Sequence, residues 1–274
     1  MKDVLLSARA DLDLLKQAAL EGGQLALTHF RKNPARWSKA GGSPVTEADM
    51  AVDTLLRTSL LAARPHYGWL SEETADDPVR LGREAAFVVD PIDGTRGFIE
   101  GDDRWCVSLA VVRDGRPQVA VLYAPARDEV YTAMRGEGAW LRRGALAVSA
   151  KVGLRGAVTA GPRGWLKSAI LQDAGARIQS HVPSLAYRFT SVASGHFDAA
   201  FASPGAQDWD LAACDLFVHE AGGRLTDLHG TPPVYNRESP RHGVLAAANA
   251  TLQPELLLKL QDVALERAAA GLPT

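Results

Sequence analysis

Cysteine is nearly absent from this chain: Cys106 and Cys214 are the only two in 274 residues, and no C-x-x-C spacing occurs. Two cysteines so far apart predict neither a disulfide framework nor a thiolate zinc site. Long apolar runs are missing as well, and none approaches the roughly 20 residues that cross a bilayer as a helix, so no membrane span is expected. The first ten residues mix Lys2, Asp3 and Arg9 into a short apolar stretch, unlike the charged-then-apolar layout of a secretory leader. Cytoplasmic residence is the expectation. An excess of one charge is the third absence: 30 Lys and Arg stand against 32 Asp and Glu, for a formal net charge of -2. With no basic run to track a phosphate backbone, nucleic acid is excluded as the expected partner. No Ser-His or Cys-His arrangement suggests a covalent protein nucleophile, and no repeat or low-complexity segment interrupts the chain.

What is present is an ordinary globular composition, 46% hydrophobic and 23% charged, sufficient for a sizeable core. The length suits one catalytic unit built of two halves, expected over residues 1–146 and 147–274. Leu12, Leu15, Ala19, Ala26 and Phe30 recur at helical steps and predict an opening amphipathic helix, weakened in its middle by Gly22 and Gly23. A polar loop should follow over residues 33–43. A second helix should start near Glu47, with Thr46 and Asp49 at its N-terminus. Residues 85–89 read as a buried strand running into Asp90-Pro91-Ile92-Asp93-Gly94-Thr95, where Pro and Gly stop the pattern. Residues 106–112 and 118–123 are β-rich and flank Asp114-Gly115, a strong hairpin signal. The first half is therefore expected to be an antiparallel sheet packed with helices. Beyond residue 146, strands alternate with helical stretches at 184–195 and 210–221, the latter ended by Gly222-Gly223, which predicts an α/β second half. A last helix is expected over 252–269, with 271–274 fraying.

The hexapeptide at 90–95 gathers two carboxylates around a proline, with Gly94 permitting close approach to a ligand. Two carboxylates held together raise each other's pKa unless a divalent cation neutralises them. With no Cys or His cluster in reach, Mg²⁺ is the expected ion. A plain Asx-type turn would use the same residues. Glu72-Glu73 after Trp69-Leu70, and Asp210 after Trp209, add carboxylates on apolar anchors. Each also has a plainer reading: Glu73 as surface charge, Asp210 as a helix-start residue, Asp49 as the capping partner of Thr46.

Four segments in order resemble the inositol monophosphatase superfamily of lithium-sensitive magnesium phosphatases. They are Ser43-Pro44-Val45-Thr46-Glu47-Ala48-Asp49, Ser71-Glu72-Glu73, Val89-Asp90-Pro91-Ile92-Asp93-Gly94-Thr95, and Trp209-Asp210-Leu211-Ala212-Ala213 leading to Glu220-Ala221-Gly222-Gly223. The resemblance implies the layered αβαβα sugar-phosphatase fold and hydrolysis of a small phosphate ester with two or three Mg²⁺ ions. It implies Glu72, Asp90 and the Ile92 carbonyl as ligands of one ion, and Asp90, Asp93 and Asp210 as ligands of a second. Thr95, oriented by Asp49, would hold the attacking water, so Asp49, Glu72 and Thr95 are the implied catalytic residues. Gly94, Thr95 and Arg96 would receive the phosphate at a helix start, and Lys39 resembles a family lysine near the metals. A homodimer is common in the family.

The resemblance also bears on the substrate. Inositol-specific members usually continue Asp-Gly-Thr with Thr and Asn, whereas this chain reads Arg96-Gly97-Phe98-Ile99-Glu100. They carry a carboxylate seven residues before the last metal aspartate, where this chain has Ser203. The first resembles the 3'(2'),5'-bisphosphate nucleotidase branch or the histidinol-phosphate phosphatases, and the second speaks against inositol phosphate. Ala206-Gln207-Asp208 with Trp209-Asp210-Leu211-Ala212-Ala213 resembles the nucleotidase branch better than the histidinol one, and Arg96 or Arg163 could address a second phosphate. Inositol-1-monophosphatase and then histidinol-phosphatase are the alternatives, and a catalytically inactive regulatory protein is the non-enzyme reading.

Overall fold

The computed structural model describes residues 2–39, 42–179 and 181–273. Ala40 and Gly41 of the expected 33–43 loop, and Thr274 of the expected frayed end, lie outside the described residues, as do Met1 and Ser180. Two long helices come first, α1 (Lys2–His29) and α2 (Glu47–Ala63), separated by the short hairpin β1 (Arg36–Ser38) and β2 (Pro44–Thr46). A seven-stranded sheet follows in simple order: β3 (Gly68–Ser71), β4 (Ala86–Asp93), β5 (Cys106–Arg113), β6 (Arg116–Ala124), β7 (Glu129–Met134), β8 (Ala139–Leu141) and β9 (Gly144–Ala145). The short helix α3 (Thr95–Glu100) lies between β4 and β5. The sheet is not wholly antiparallel as expected, because β3 and β4 run parallel. Their connection crosses over through residues 72–85 instead of closing a hairpin.

The second sheet is five-stranded, in the order β11-β10-β12-β14-β13: β10 (Val158–Ala160), β11 (Arg177–Ile178), β12 (Ala199–Ala202), β13 (Gly223–Asp227) and β14 (Leu245–Asn249). Its helices are α4 (Arg163–Leu166), α5 (Ala169–Asp173), α6 (Leu185–Ala193), α7 (Asp208–Glu220) and α8 (Gln253–Ala269).

Strand alternation shows how the layers stack. On β4, Phe87 and Val89 join a core with Leu15 and Ala19 of α1 and Val52 and Leu56 of α2. Val88 faces the other way and joins Phe189 of α6 and Phe217 of α7. On β12, Ala200 and Ala202 belong to that same middle core, whereas Ala199 and Phe201 face Leu256 and Leu260 of α8. The order is helices, sheet, helices, sheet, helix: the αβαβα stack.

Local chemistry accounts for the elements that place the site. Thr46 and Asp49 form the capping box of α2, with Asp49 accepting from the Thr46 backbone N–H at 2.8 Å. The β5–β6 turn places Asp114 and Gly115 at φ 51° and 70°, the left-handed pair a two-residue hairpin needs. α1 runs unbroken through Gly22 and Gly23. A Cβ at Gly23 would stand 2.4 Å from Tyr123 and one at Gly22 3.2 Å from Val52, so these glycines let α1 pack directly against β6 and α2.

Candidate active site

The site lies where β4 ends. Its ladder with β5 pairs Asp90 with Ser108 and then Asp93 with Cys106, so three steps on β4 match two on β5. The extra residue is a bulge at Pro91-Ile92. The motif is thus the irregular end of a strand, not a turn beyond it. A third carboxylate arrives from the first turn of α7, where Asp210 accepts the Gln207 backbone N–H at 2.7 Å. Ligand oxygens of Asp90, Asp93 and Asp210 all lie within 4.8 Å of one another. Asp93 also ties β4 to α6, accepting the Ser184 hydroxyl at 2.5 Å and the Ala186 N–H at 2.6 Å. Ser184 in turn accepts the Tyr187 N–H as the N-cap of α6.

Like charges enclosed in this way titrate high. Burial raises the Asp90 carboxyl well above its usual range, with the charges of Glu72, Asp93 and Asp210 adding to it. Burial lifts Asp93 to about 6, against the lowering effect of its Ser184, Ala186 and Leu185 hydrogen bonds. Enclosure of the Asp210 carboxyl and the charge of Asp93 raise Asp210 well above normal too. Asp90 Oδ1 accepts the Ile92 N–H, but Oδ2 is buried with no hydrogen-bond partner among the described residues. A buried carboxylate oxygen left unpaired is costly, and a cation bound here would satisfy it. Three hard oxygen donors with no nitrogen or sulfur ligand among them fit a hard divalent ion.

Asp49 and Thr95 meet as implied. The one hydroxyl proton of Thr95 has two acceptors in reach, Asp49 Oδ1 at 3.0 Å and the Ile92 carbonyl at 3.1 Å. Burial raises the Asp49 carboxyl, opposed by hydrogen bonds from Thr46 and Thr95. Gly94, the N-cap of α3, has φ 94°, and a Cβ there would stand 3.1 Å from the Ser184 nitrogen.

Glu72 lines the same cavity but stands outside the three-carboxylate group. Its Oε1 is 2.8 Å from Lys39 Nζ, which also reaches Glu73 Oε1 at 2.7 Å. Glu73 is not surface charge: its side chain is 3% exposed, and burial lifts its carboxyl to about 7 despite Lys39. Lys39 is therefore spent on these two carboxylates. Sequence reasoning missed Asp53, whose carboxylate accepts the hydroxyls of Ser71 and Thr74 on either side of Glu72-Glu73. Its signal was present, since Asp53 is one helical turn after Asp49 on the same face of α2. Ser184 was missed as well, because nothing local links it to Asp93.

The cavity, about 930 Å³, is lined by Glu72, Asp93 and Asp210 together with Arg96, Arg163, His181, Arg188 and Arg241, with Ser203 also on its wall. Arg188 is buried, donating to the Val182 and Phe201 carbonyls. Neither it nor Arg241 was singled out from sequence.

The inositol monophosphatase family profile matches residues 9–265, nearly the whole chain. This chain belongs to the inositol monophosphatase family. The family is one of phosphatases and is generally metal-dependent, in keeping with the acidic cluster. Among its relatives, the Mycobacterium tuberculosis histidinol-phosphatase is 37% identical over 231 residues, covering 80% of this chain and 85% of that protein. The Mesorhizobium japonicum inositol-1-monophosphatase is 31% identical over 267 residues, covering 92% and 96%. Among solved structures, the extragenic suppressor protein suhB of Bartonella henselae superimposes with a TM-score of 0.82 at 28% identity, covering 92% of this chain and 98% of that one. Family members thus carry the same architecture under several functional names.

Proposed function

We propose that this protein is a Mg²⁺-dependent phosphomonoesterase whose substrate carries a second anionic group, with adenosine 3',5'-bisphosphate, converted to AMP and phosphate, as the best match. The observation that carries the substrate reading is the charge of the cavity. Beyond the carboxylates that would face a metal, its wall has four arginines and one histidine, and only Glu100 as a further acid. Arg188 is engaged by the Val182 and Phe201 carbonyls, but Arg96, Arg163 and Arg241 are more guanidiniums than a singly phosphorylated polyol would use.

Asp90, Asp93 and Asp210, with Glu72 and the Ile92 carbonyl, would hold the cations. When bound, these supply charge neutralisation and polarisation of the phosphoryl group. Thr95 and Asp49 handle the proton: the Thr95 hydroxyl, when it donates to Asp49, leaves its lone pairs to accept from a water. As the water oxygen bonds to phosphorus and the ester P–O bond breaks, one water proton passes by way of Thr95 to Asp49, a carboxylate whose burial makes it a stronger base, and the departing ester oxygen takes a proton from solvent water. The Gly94-Thr95-Arg96 segment borders the place of the transferred group. No covalent phosphoenzyme is needed. Residues 1–146 would supply most of the metal ligands and 147–274 would close the site with Asp210. Two free, buried cysteines suit a reducing compartment such as the cytoplasm.

A second reading, histidinol phosphate as substrate, is favoured by the 37% identity to the mycobacterial enzyme of that name. Its ammonium would have to sit among arginines. Phosphate release from adenosine 3',5'-bisphosphate, histidinol phosphate, inositol 1-phosphate and fructose 1,6-bisphosphate, compared by kcat/KM with Mg²⁺ present, decides between them. The proposal expects the bisphosphate nucleotide to lead, and a lead for histidinol phosphate would replace it. Release from none of the four would point to a binding role instead.

A further inference from the structure

Next to the catalytic cavity, between the β1–β2 hairpin and α3, lies a second hollow of about 440 Å³. Its walls include Arg36, Trp37, Pro44, Arg96, Ile99 and Glu100, and Pro44, Arg96 and Glu100 also line the catalytic cavity. The two spaces therefore share a wall at β2 and α3. That helix is six residues long, about 9 Å at 1.5 Å per residue. A leaving group attached to a phosphate at Thr95 reaches the hollow without leaving the protein surface.

The lining is chemically unspent. Trp37 is 49% exposed and stacks on no other ring among the described residues. The side chains of Arg36, Arg96 and Glu100 make no ion pair or hydrogen bond among the described residues, as is also true of other exposed arginines such as Arg9 and Arg57. An indole face offers stacking to a flat ring. A pair of guanidiniums offers fork-shaped donors to an anion, and a carboxylate accepts from an amino group.

We propose that Arg36, Trp37, Arg96 and Glu100 form a leaving-group subsite for a nucleotide: base on the Trp37 face, amino edge toward Glu100, remaining phosphate at Arg96, which the two spaces share, with Arg36 adding positive charge. This rests on the nucleotidase reading and adds what that reading lacks, a place for the ring. A polyol presents no flat face to Trp37, and an alkylammonium is repelled by the arginine pair.

The test uses Trp37→Ala, Trp37→Phe and Arg36→Ala in the full chain. Binding of AMP is measured by calorimetry, and kcat/KM is measured for adenosine 3',5'-bisphosphate and for glycerol 2-phosphate, which has no ring. Stacking on an aromatic is worth about 1–3 kcal/mol per base. Trp37→Ala should therefore weaken AMP binding and raise KM for the nucleotide by roughly 5- to 150-fold. It should leave glycerol 2-phosphate within about twofold, and Trp37→Phe should restore most of the loss. Arg36→Ala should weaken AMP binding more than adenosine binding. Nucleotide turnover that is unchanged by Trp37→Ala overturns the subsite and spares the nucleotidase reading. AMP bound through Trp37 by an enzyme that prefers another ester upholds the subsite and overturns that reading. Equal losses on both phosphates, accompanied by a drop in mass by light scattering, would assign Trp37 to an interface between copies and overturn the subsite.

Discussion

Asp53 on α2 accepts a hydrogen bond from the hydroxyl of Ser71 at the end of β3, joining two elements 18 residues apart in sequence. Thr74 donates to the other oxygen of the same carboxylate at 2.6 Å. Asp53 thus grips the turn that carries Glu72 and Glu73. Removal of the carboxylate strands two hydroxyls and loosens that turn. Asp53→Ala should cost about 1–3 kcal/mol in urea denaturation and weaken Mg²⁺ binding in calorimetric titration. Asp53→Asn can still accept from one hydroxyl and donate to the other, and should keep Mg²⁺ affinity near wild type. An Asn variant as poor as the Ala variant would mean that the charge matters and the grip does not.

Thr95→Ala should lower kcat by about 10²–10⁴, the usual range for loss of a positioned proton-transfer group. Mg²⁺ titrations should remain unchanged, and Thr95→Ser should recover most of the rate. Loss of metal binding in the Ala variant would make the hydroxyl structural.

Asp90→Asn should nearly abolish turnover and weaken Mg²⁺ binding by at least tenfold, since it removes the charge at the centre of the carboxylate group. In the absence of metal, the same substitution should raise the melting temperature, because it relieves repulsion with Asp93 and Asp210. Opposite signs in EDTA and in Mg²⁺ are the expected signature.

The pH dependence has a definite sign. In the metal-free chain burial holds Asp93 at about 6 and Glu73 at about 7, above the roughly 4 of an unfolded carboxylate. Folding then takes up protons, so the stability these groups contribute is complete below about pH 4 and is lost as the pH rises through 6 to 7. In EDTA the melting temperature should be higher at about pH 5.5 than at about pH 7.5. Added Mg²⁺ should stabilise most at the higher pH, where no proton competes for the carboxylates. A profile in EDTA that rises with pH would contradict this.

Gly94→Ala should destabilise by about 1–3 kcal/mol, the cost of holding a side chain at positive φ, with further loss if the Ser184 segment is pushed away from Asp93. Urea denaturation of the variant measures it.

The sequence reveals most where structure is local. The capping box at Thr46 and Asp49, the hairpin at Asp114-Gly115 and the strand entering Asp90 each depend on residues a few positions apart, and each was readable. The role of Gly22 and Gly23 was not readable because it is distant: they make room for Tyr123 and Val52. Glu73 looked like surface charge because the sequence does not place Lys39 over it. The grip of Asp53 on Ser71 and of Asp93 on the start of α6 depends on how layers stack, which no local pattern encodes. The family resemblance brought Asp210 beside Asp90, and spacing alone did not.

The bulge at Pro91-Ile92 has a consequence for how this site tolerates change. Along a regular strand, residues an odd number of steps apart point to opposite sides. Asp90 and Asp93 are three apart, so in an unbroken strand one would point into the layer below and only one into the cavity. The extra residue changes the parity and lets both carboxylates face the same way. By the same parity, a regular strand without the bulge would keep both carboxylates on one side only if one of Pro91 and Ile92 were deleted, which would also remove a residue from the stretch that offers the Ile92 carbonyl. The bulge therefore lets the motif hold an odd spacing, with the Ile92 carbonyl between its two carboxylates, where a straight strand would separate them.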